Sequence, residues 1–253
     1  MPERVQRVLL VRYTPDCQDL VALGARLCYA GGDVDSLIKT IDEKDQRAFL
    51  EKLSSMGHES VLEHASFTFL AEGVSRVLLA QLTRHRIASY SVQSQRYVSY
   101  KDGFGYIIPP AILALGQAAA EEYRGQMAQM QRWYEDWQER LGAAGEKSNE
   151  DARFVLPGAC ETRILFTMNV RELHHFFSLR MCNRAQWEIR AMAAAMFEQC
   201  YRVAPALFQN AGPGCLRGGC PEGTKTCGQA ETIRAARRDL IRRGRDEEQN
   251  KND

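Results

Sequence analysis

Residues 64–96 run HASFTFLAEGVSRVLLAQLTRHRIASYSVQSQR, and the hydrophobic period changes twice within them. From His64 to Glu72, Ala65, Phe67, Phe69 and Ala71 alternate with other residues, the period of two that marks a strand with one face in a core. From Ser75 to Arg84, the grouping Val77, Leu78, Ala80, Gln81, Leu82 predicts a short helix with Ser75 as its N-cap. From Ala88 to Tyr100 the chain is rich in Ser, Tyr and Val, which predicts extended backbone. A half-buried strand, a short helix and a second extended segment in immediate succession are a plan for an antiparallel or mixed sheet with helices on it.

The flanks extend that plan. RVQRVLLVRY at 4–13 and CETRILFTMN at 160–169 predict two more strands. Helices are expected over Asp16–Tyr29 (Asp16 as N-cap), Asp33–Ile41, Glu43–Met56, Val170–Met181 and Gln186–Val203, with a short one from Ser148 or Asn149 to Arg153. After Pro109-Pro110, the apolar positions Ile112, Leu115, Ala119, Met127, Met130, Trp133, Trp137 and Leu141 predict one long helix over 111–141, weakened slightly by Gly116 and Gly125. A Gly-, Pro- and Cys-rich stretch (211–228) and a basic helix (Glu231–Arg243) close the chain. The fold class expected is α+β: a small mixed or antiparallel sheet covered by helices, one of them long. One domain is expected over 1–210, followed by a Gly/Cys-rich loop and basic extension over 211–253.

Composition narrows the function classes. The chain has 253 residues, is 45% hydrophobic and 26% charged, and carries a formal net charge of +1, the profile of an ordinary globular protein. No apolar run approaches the roughly 20 residues that cross a bilayer, and the N-terminus lacks the charged-then-apolar plan of a secretory signal, so a cytoplasmic protein with no membrane contact is expected. Near-neutrality argues against a general nucleic-acid binder, which needs a strong positive field. The 33 basic residues divide into 26 Arg and 7 Lys, a bias toward the planar fork that grips phosphate and carbonyl pairs.

That bias concentrates in Arg84-His85-Arg86, followed by hydroxyls and amides and then by Ser94-Gln95-Arg96. Helix-end cations are favoured by the helix dipole, which accounts for one or two charges. It does not account for a hydroxyl ladder ending in a further cation. On an extended segment Ser94 and Arg96 would face one side and Ser89, Ser91, Gln93 and Gln95 the other, so two different polar ligands could be held. Arg, Ser and backbone N–H groups together form the donor set that phosphate needs.

The pattern Arg-His-Arg, seven residues, Ser, one residue, Arg resembles the signature of the flavin-dependent thymidylate synthases. The resemblance extends upstream through GHESVLEH (57–64) and QLTR (81–84), and downstream through RFVLP (153–157), NVREL (169–173), Arg180 and AQWEIR (185–190), nearly the whole chain to about residue 210. It implies reductive methylation of dUMP to dTMP, with methylenetetrahydrofolate as carbon donor and NADPH-reduced FAD as hydride donor, in a homotetramer whose active sites are shared between subunits. It also implies roles. Ser60, Arg84, His85, Arg86, Ile87, Asn169, Arg171 and His175 would contact FAD. Gln81, Arg84, Ser94, Gln95, Arg96 and Arg153 would take dUMP. His58 would lie near flavin and folate. Arg180 would face the uracil ring as the activating arginine, where a fixed guanidinium stabilises charge developing on the ring carbonyls. The sequences GFG (103–105) and GPG (212–214) lack the strand–turn–helix setting of a dinucleotide turn, in keeping with a non-Rossmann flavin site. Ser91 and Val92 depart from the family's usual Asn-Glu, and His175 from its usual Asn.

Two alternatives come from other classes. One is a module that binds RNA or single-stranded DNA without turnover, but arginines spread over 84–180 without interleaved aromatics argue against a stacking platform. The other is a different flavin enzyme on the same scaffold. No metal is expected. His58-Glu59 lacks a second His at position 62, where Leu stands. Cys215-x4-Cys220-x6-Cys227 has no CxxC pair and falls one ligand short of a zinc site, with Cys200 the nearest other cysteine considered. The cysteines at 17, 28, 160, 182 and 200 are expected as small buried hydrophobes, and no protein thiol is expected to be needed for catalysis.

Overall fold

A computed structural model describes residues 1–55 and 57–252. In chain order the elements are β1 (Arg7–Tyr13), α1 (Cys17–Leu27), α2 (Val34–Glu43), α3 (Arg47–Ser55), β2 (Ser66–Ser75), α4 (Arg76–Leu82), β3 (Ala88–Val92), α5 (Pro110–Ala114), α6 (Gln117–Arg140), α7 (Glu146–Ala152), β4 (Glu161–Asn169), α8 (Val170–Arg180), α9 (Trp187–Val203), α10 (Pro205–Phe208) and α11 (Ala230–Asn252). The four strands form one antiparallel sheet in the order β1-β2-β4-β3. Met56, the expected end of α3, and Asp253 lie outside the described residues.

The α+β class is as expected, and the alternation in 64–72 does what it promises: Phe67, Phe69 and Ala71 are fully buried. The chain divides into two compact units, Met1–Leu9 with Phe69–Phe166, and Leu10–Thr68 with Thr167–Asp253.

In the first unit, α6 turns Ala120, Met127, Gln131 and Tyr134 inward, and an aromatic core of Tyr100, Phe104, Tyr106 and Tyr134 forms with Ile108 and Cys160. Gln131 ties this core to the backbone, donating to the Tyr100 carbonyl at 2.7 Å and accepting from the Phe104 N–H at 3.1 Å. The expected single helix over 111–141 is two. Gly116 sits at φ +100° between α5 and α6, a conformation that L side chains avoid, so the glycine ends one helix and starts the next. Trp133 and Trp137, expected on the inner stripe, are exposed; α6 buries the face of Met127 and Tyr134 instead.

In the second unit, α8 buries Leu173, Phe176 and Phe177 and α9 buries Ile189, Met192, Met196 and Phe197. Phe177 meets Phe197 and Phe208 edge-on, with centroids 5.7 and 6.1 Å apart, the favoured geometry of aromatic pairs. His174 donates from Nε2 to the Leu207 carbonyl at 2.8 Å and is a satisfied core histidine. Asp16 stands at the N-cap of α1 but at φ +46° and without a side-chain cap, whereas Asp33 caps α2 by accepting from the Ser36 N–H at 2.8 Å. Cys28 is exposed and Cys182 half-buried, so these two are not the core hydrophobes expected.

Candidate functional site

The Arg84-His85-Arg86 segment begins where α4 ends. Ser75 accepts from the Leu78 N–H at 3.0 Å and starts the helix. Leu78 and Leu82 bury one side of it. The turn that follows is tied to β3 by Tyr90, whose hydroxyl lies 2.8 Å from the carbonyl oxygens of both Leu82 and His85. His85 is buried, while Arg84, Arg86 and Ile87 are exposed. The two arginines differ from the rest of their unit. Arg4, Arg7, Arg76, Arg96, Arg124, Arg132, Arg140, Arg153 and Arg163 each hold a carboxylate, a side-chain amide or a backbone carbonyl. Among the described residues Arg84 and Arg86 hold none. Guanidiniums with no protein partner, on residues separated by one position, are the kind of donor that an anion with phosphate-like groups requires.

Residues 94–96 are a turn, not a strand. β3 ends at Val92, and the Ser94 hydroxyl accepts from the N–H groups of Arg96 (3.1 Å) and Tyr97 (3.3 Å), a local bond that competes with extended structure. The two-faced alternation expected there is therefore replaced by a compact Ser-Gln-Arg corner. Gln95 reaches inward, its Nε2 3.5 Å from the Cys160 sulfur. Arg76 donates to the Gln93 carbonyl at 2.7 Å and holds the approach to the corner. Arg96 pairs with Glu146 at 2.8 Å and Glu150 at 3.1 Å, both on α7. Asn149 donates to the Arg96 carbonyl at 3.0 Å, and Arg153 donates from Nε to the Glu150 carbonyl at 3.0 Å. Arg96 and Arg153 are thus both tied to α7. The carboxylates are the residues that sequence reasoning missed. Their spacing of four puts both on one helix face, a signal lost because the helix was expected to begin at 148.

In the second unit the expected residues gather at the start of α8. Asn169 caps it, accepting from the Glu172 N–H at 2.8 Å, so its carbonyl oxygen is committed to the helix. Arg171 pairs with Glu63 and, at 3.8 Å, with Glu59, joining α8 to the 3-10 turn Ser60–His64 that carries Ser60. Arg171 and His175 are both exposed, as two residues one helical turn apart on one face should be. His58 lies 3.4 Å from the Tyr29 hydroxyl and lines a small pocket with Glu59, His174, Leu207 and Arg217. Arg180 is the last residue of α8 and is half-buried.

Residues 9–206 match the family model "Thymidylate synthase complementing protein". A flavin-dependent thymidylate synthase of Geobacter sulfurreducens is 50% identical over 235 residues, covering 92% of this chain and 99% of that relative. The chain belongs to the flavin-dependent thymidylate synthase family. Among solved structures, a UMP/dUMP methylase, PolB, from Streptomyces cacaoi bound with 5-Br dUMP superposes with a TM-score of 0.65 at 25% identity, covering 83% of this chain and 96% of that one. ThyX from Helicobacter pylori with FAD and dUMP gives a TM-score of 0.56 at 25% identity, covering 81% and 97%. Family membership accounts for the RHR-x7-SxR motif and for the α+β class together. No helix among the described residues is long and apolar enough to cross a membrane.

Proposed function

We propose that this member of the family converts dUMP to dTMP by reductive methylation, with methylenetetrahydrofolate as carbon donor and NADPH as reductant, using FAD held in a non-Rossmann site. The observation that carries the reading is the unpaired Arg84/Arg86 couple at the head of the motif, which fits the pyrophosphate of a dinucleotide. His85, Ile87, Ser60, Asn169, Arg171 and His175 complete the FAD contacts, and His58 stands near the flavin and folate. FAD, when bound, supplies the hydride that completes the methyl group.

The chain's own residues bind and polarise the nucleotide. Arg96, Ser94, Gln95 and Arg153 hold the dUMP phosphate, with Gln81 and Arg84 beside the nucleoside. Arg180 faces the uracil edge. Negative charge develops on the ring carbonyls as carbon and hydride are added, and a preorganised guanidinium stabilises it without having to reorient. The reaction takes place in a cytoplasmic homotetramer with active sites shared between subunits. Residues 1–210 form its catalytic domain and 211–253 an extension.

The test is a visible spectrum of the purified protein with and without dUMP, followed by turnover of labelled dUMP with methylenetetrahydrofolate and NADPH. Flavin absorption perturbed by dUMP, and labelled dTMP, are expected. Protein without flavin that also ignores dUMP after FAD is resupplied overturns the reading. UMP belongs beside dUMP in that assay, because the Streptomyces cacaoi relative is a UMP/dUMP methylase.

A further inference from the structure

Four of the eight cysteines converge outside the site described above. A small pocket is lined by Cys182, Cys215, Cys220 and Cys227, with Pro213 and Ile233 among its other walls. Cys182 comes two residues after α8 ends and lies inside the stretch matched to the family model, while the other three lie beyond it. Along the chain the three cysteines of 215–227 fall one ligand short, and the nearest other cysteine is Cys200. The fold rejects Cys200, which is fully buried on α9, and supplies Cys182 instead. We propose that Cys182, Cys215, Cys220 and Cys227 hold one zinc ion that fastens the segment after residue 210 to the loop between α8 and α9.

Three features argue for it. The first is the ligand set. Four thiols with no fifth donor are the complement of a closed structural zinc site, and soft thiolates select zinc over magnesium or calcium. The neighbouring carboxylate, Glu222, is engaged by Arg184 at 3.2 Å. The second is the outer shell. The side-chain amide of Asn183 points at the Cys227 sulfur at 3.7 Å, an N–H···S contact of the kind that orients and stabilises a metal-bound thiolate. The third is mechanical. Residues 217–229 contain one short 3-10 turn that begins there, Gly223–Lys225, and all but Cys220 are exposed. A segment with so little apolar burial needs a cross-link to hold one conformation, and a metal is one such cross-link. The cysteines are all unpaired. Among the described residues no three of these sulfurs lie within 4.8 Å of one another, so metal binding draws the 215–227 loop inward onto Cys182.

The inference is independent of the reaction proposed above, and its test reads metal, not turnover. The full untagged chain, grown in zinc-supplemented medium and dialysed, is assayed for metals. About one zinc per chain is expected, released in proportion as a mercurial titrates the thiols. Cys182→Ser and Cys220→Ser lose at least nine-tenths of the zinc, and Cys28→Ser keeps it. Because a cysteine variant can misfold, the wild-type chain is also reconstituted with Co(II), which should give the absorption of a tetrahedral tetrathiolate. Chelation of the wild type should speed tryptic cleavage at Arg217 and Lys225. Zinc below a tenth per chain in the wild type, iron in its place, disulfides among these four residues, or full zinc in folded Cys182→Ser each overturn the proposal.

Discussion

Arg96 holds two carboxylates, and the phosphate proposed for it would have to compete with both. Its pairs with Glu146 and Glu150 are more than a third exposed on both sides, so each contributes about 0–1 kcal/mol. A charge-assisted bond to phosphate contributes roughly 1.5–3 kcal/mol, so exchange toward the ligand is favoured. Arg96→Ala should therefore raise the Kd for dUMP about ten- to a hundredfold by titration, with thermal stability and flavin content little changed; a Kd unchanged from wild type removes Arg96 from the phosphate site. Arg180→Ala should keep flavin and lose roughly 2.7–4 kcal/mol of transition-state stabilisation, read as a fall in kcat of about a hundred- to a thousandfold. Loss of flavin along with turnover would instead make Arg180 a cofactor-binding residue. His174 makes a pH prediction. Burial pushes its pKa down to about 4 from 6.5, against the opposing pull of the Leu207 carbonyl. Between those values the unfolded chain holds a proton that the folded chain does not, so stability is full above pH 6.5 and falls as pH drops toward 4, by up to about 3 kcal/mol. Denaturant melts at pH 7 and pH 5 should show this slope in the wild type and a flatter one in His174→Gln. At this scale the motif was legible and its counter-charges were not: a guanidinium's partner lies elsewhere in the chain, as Glu146 does for Arg96.

Elements place these residues, and their ends matter more than their middles. The Arg-His-Arg group is aimed by where α4 starts and stops, and Ser75 sets the start with a buried hydroxyl on the Leu78 N–H. Ser75→Ala should cost about 1 kcal/mol, read by chemical denaturation, and should weaken flavin retention because a loosened α4 no longer fixes the Arg84–Arg86 segment that follows its other end. β1 and β2 depend on Gly73 in the same way. Gly73 sits at φ +63°, and a Cβ there would lie 2.0 Å from the Val5 carbonyl oxygen, so any side chain has to push the segment leading into β1 away from β2. The Ser75 cap could be read from sequence because capping is local chemistry, and the strand over 64–72 because its alternation is strict. Three boundaries could not be read so. Gly116 separates α5 from α6 through a backbone angle that composition does not reveal. Ser94 folds back on its own backbone and ends the extended segment early. Trp133 and Trp137 carry the right period for a core stripe, yet α6 buries the neighbouring stripe, a choice made by the packing partner and not by the helix.

For the whole molecule, the decisive feature is apolar surface beside the arginines. In the first unit Ile87 is 68% exposed next to Arg86, Tyr97 is 70% exposed next to Arg96, and Phe154 is 82% exposed next to Arg153. Single exposed apolar residues are ordinary, but here each adjoins a residue assigned to nucleotide binding, and all three are large. Burying an aromatic or isoleucine side chain of this kind is worth about 1.5–3 kcal/mol, and a neighbouring copy of the chain laid over these positions would gain that while excluding water from the phosphate contacts. The proposed tetramer with shared sites accounts for this placement. No single-chain reading of the sequence does, because the period that predicts burial cannot say which chain does the burying. Phe154→Asp should then do two things together: shift the species seen by native mass spectrometry from tetramer toward smaller forms, and reduce flavin and dUMP binding even though Arg153 is untouched. If Phe154→Asp stays tetrameric with full flavin, Phe154 lies outside the interface. If it dissociates and still binds flavin and dUMP with wild-type affinity, each site is complete within one chain and the shared arrangement is wrong.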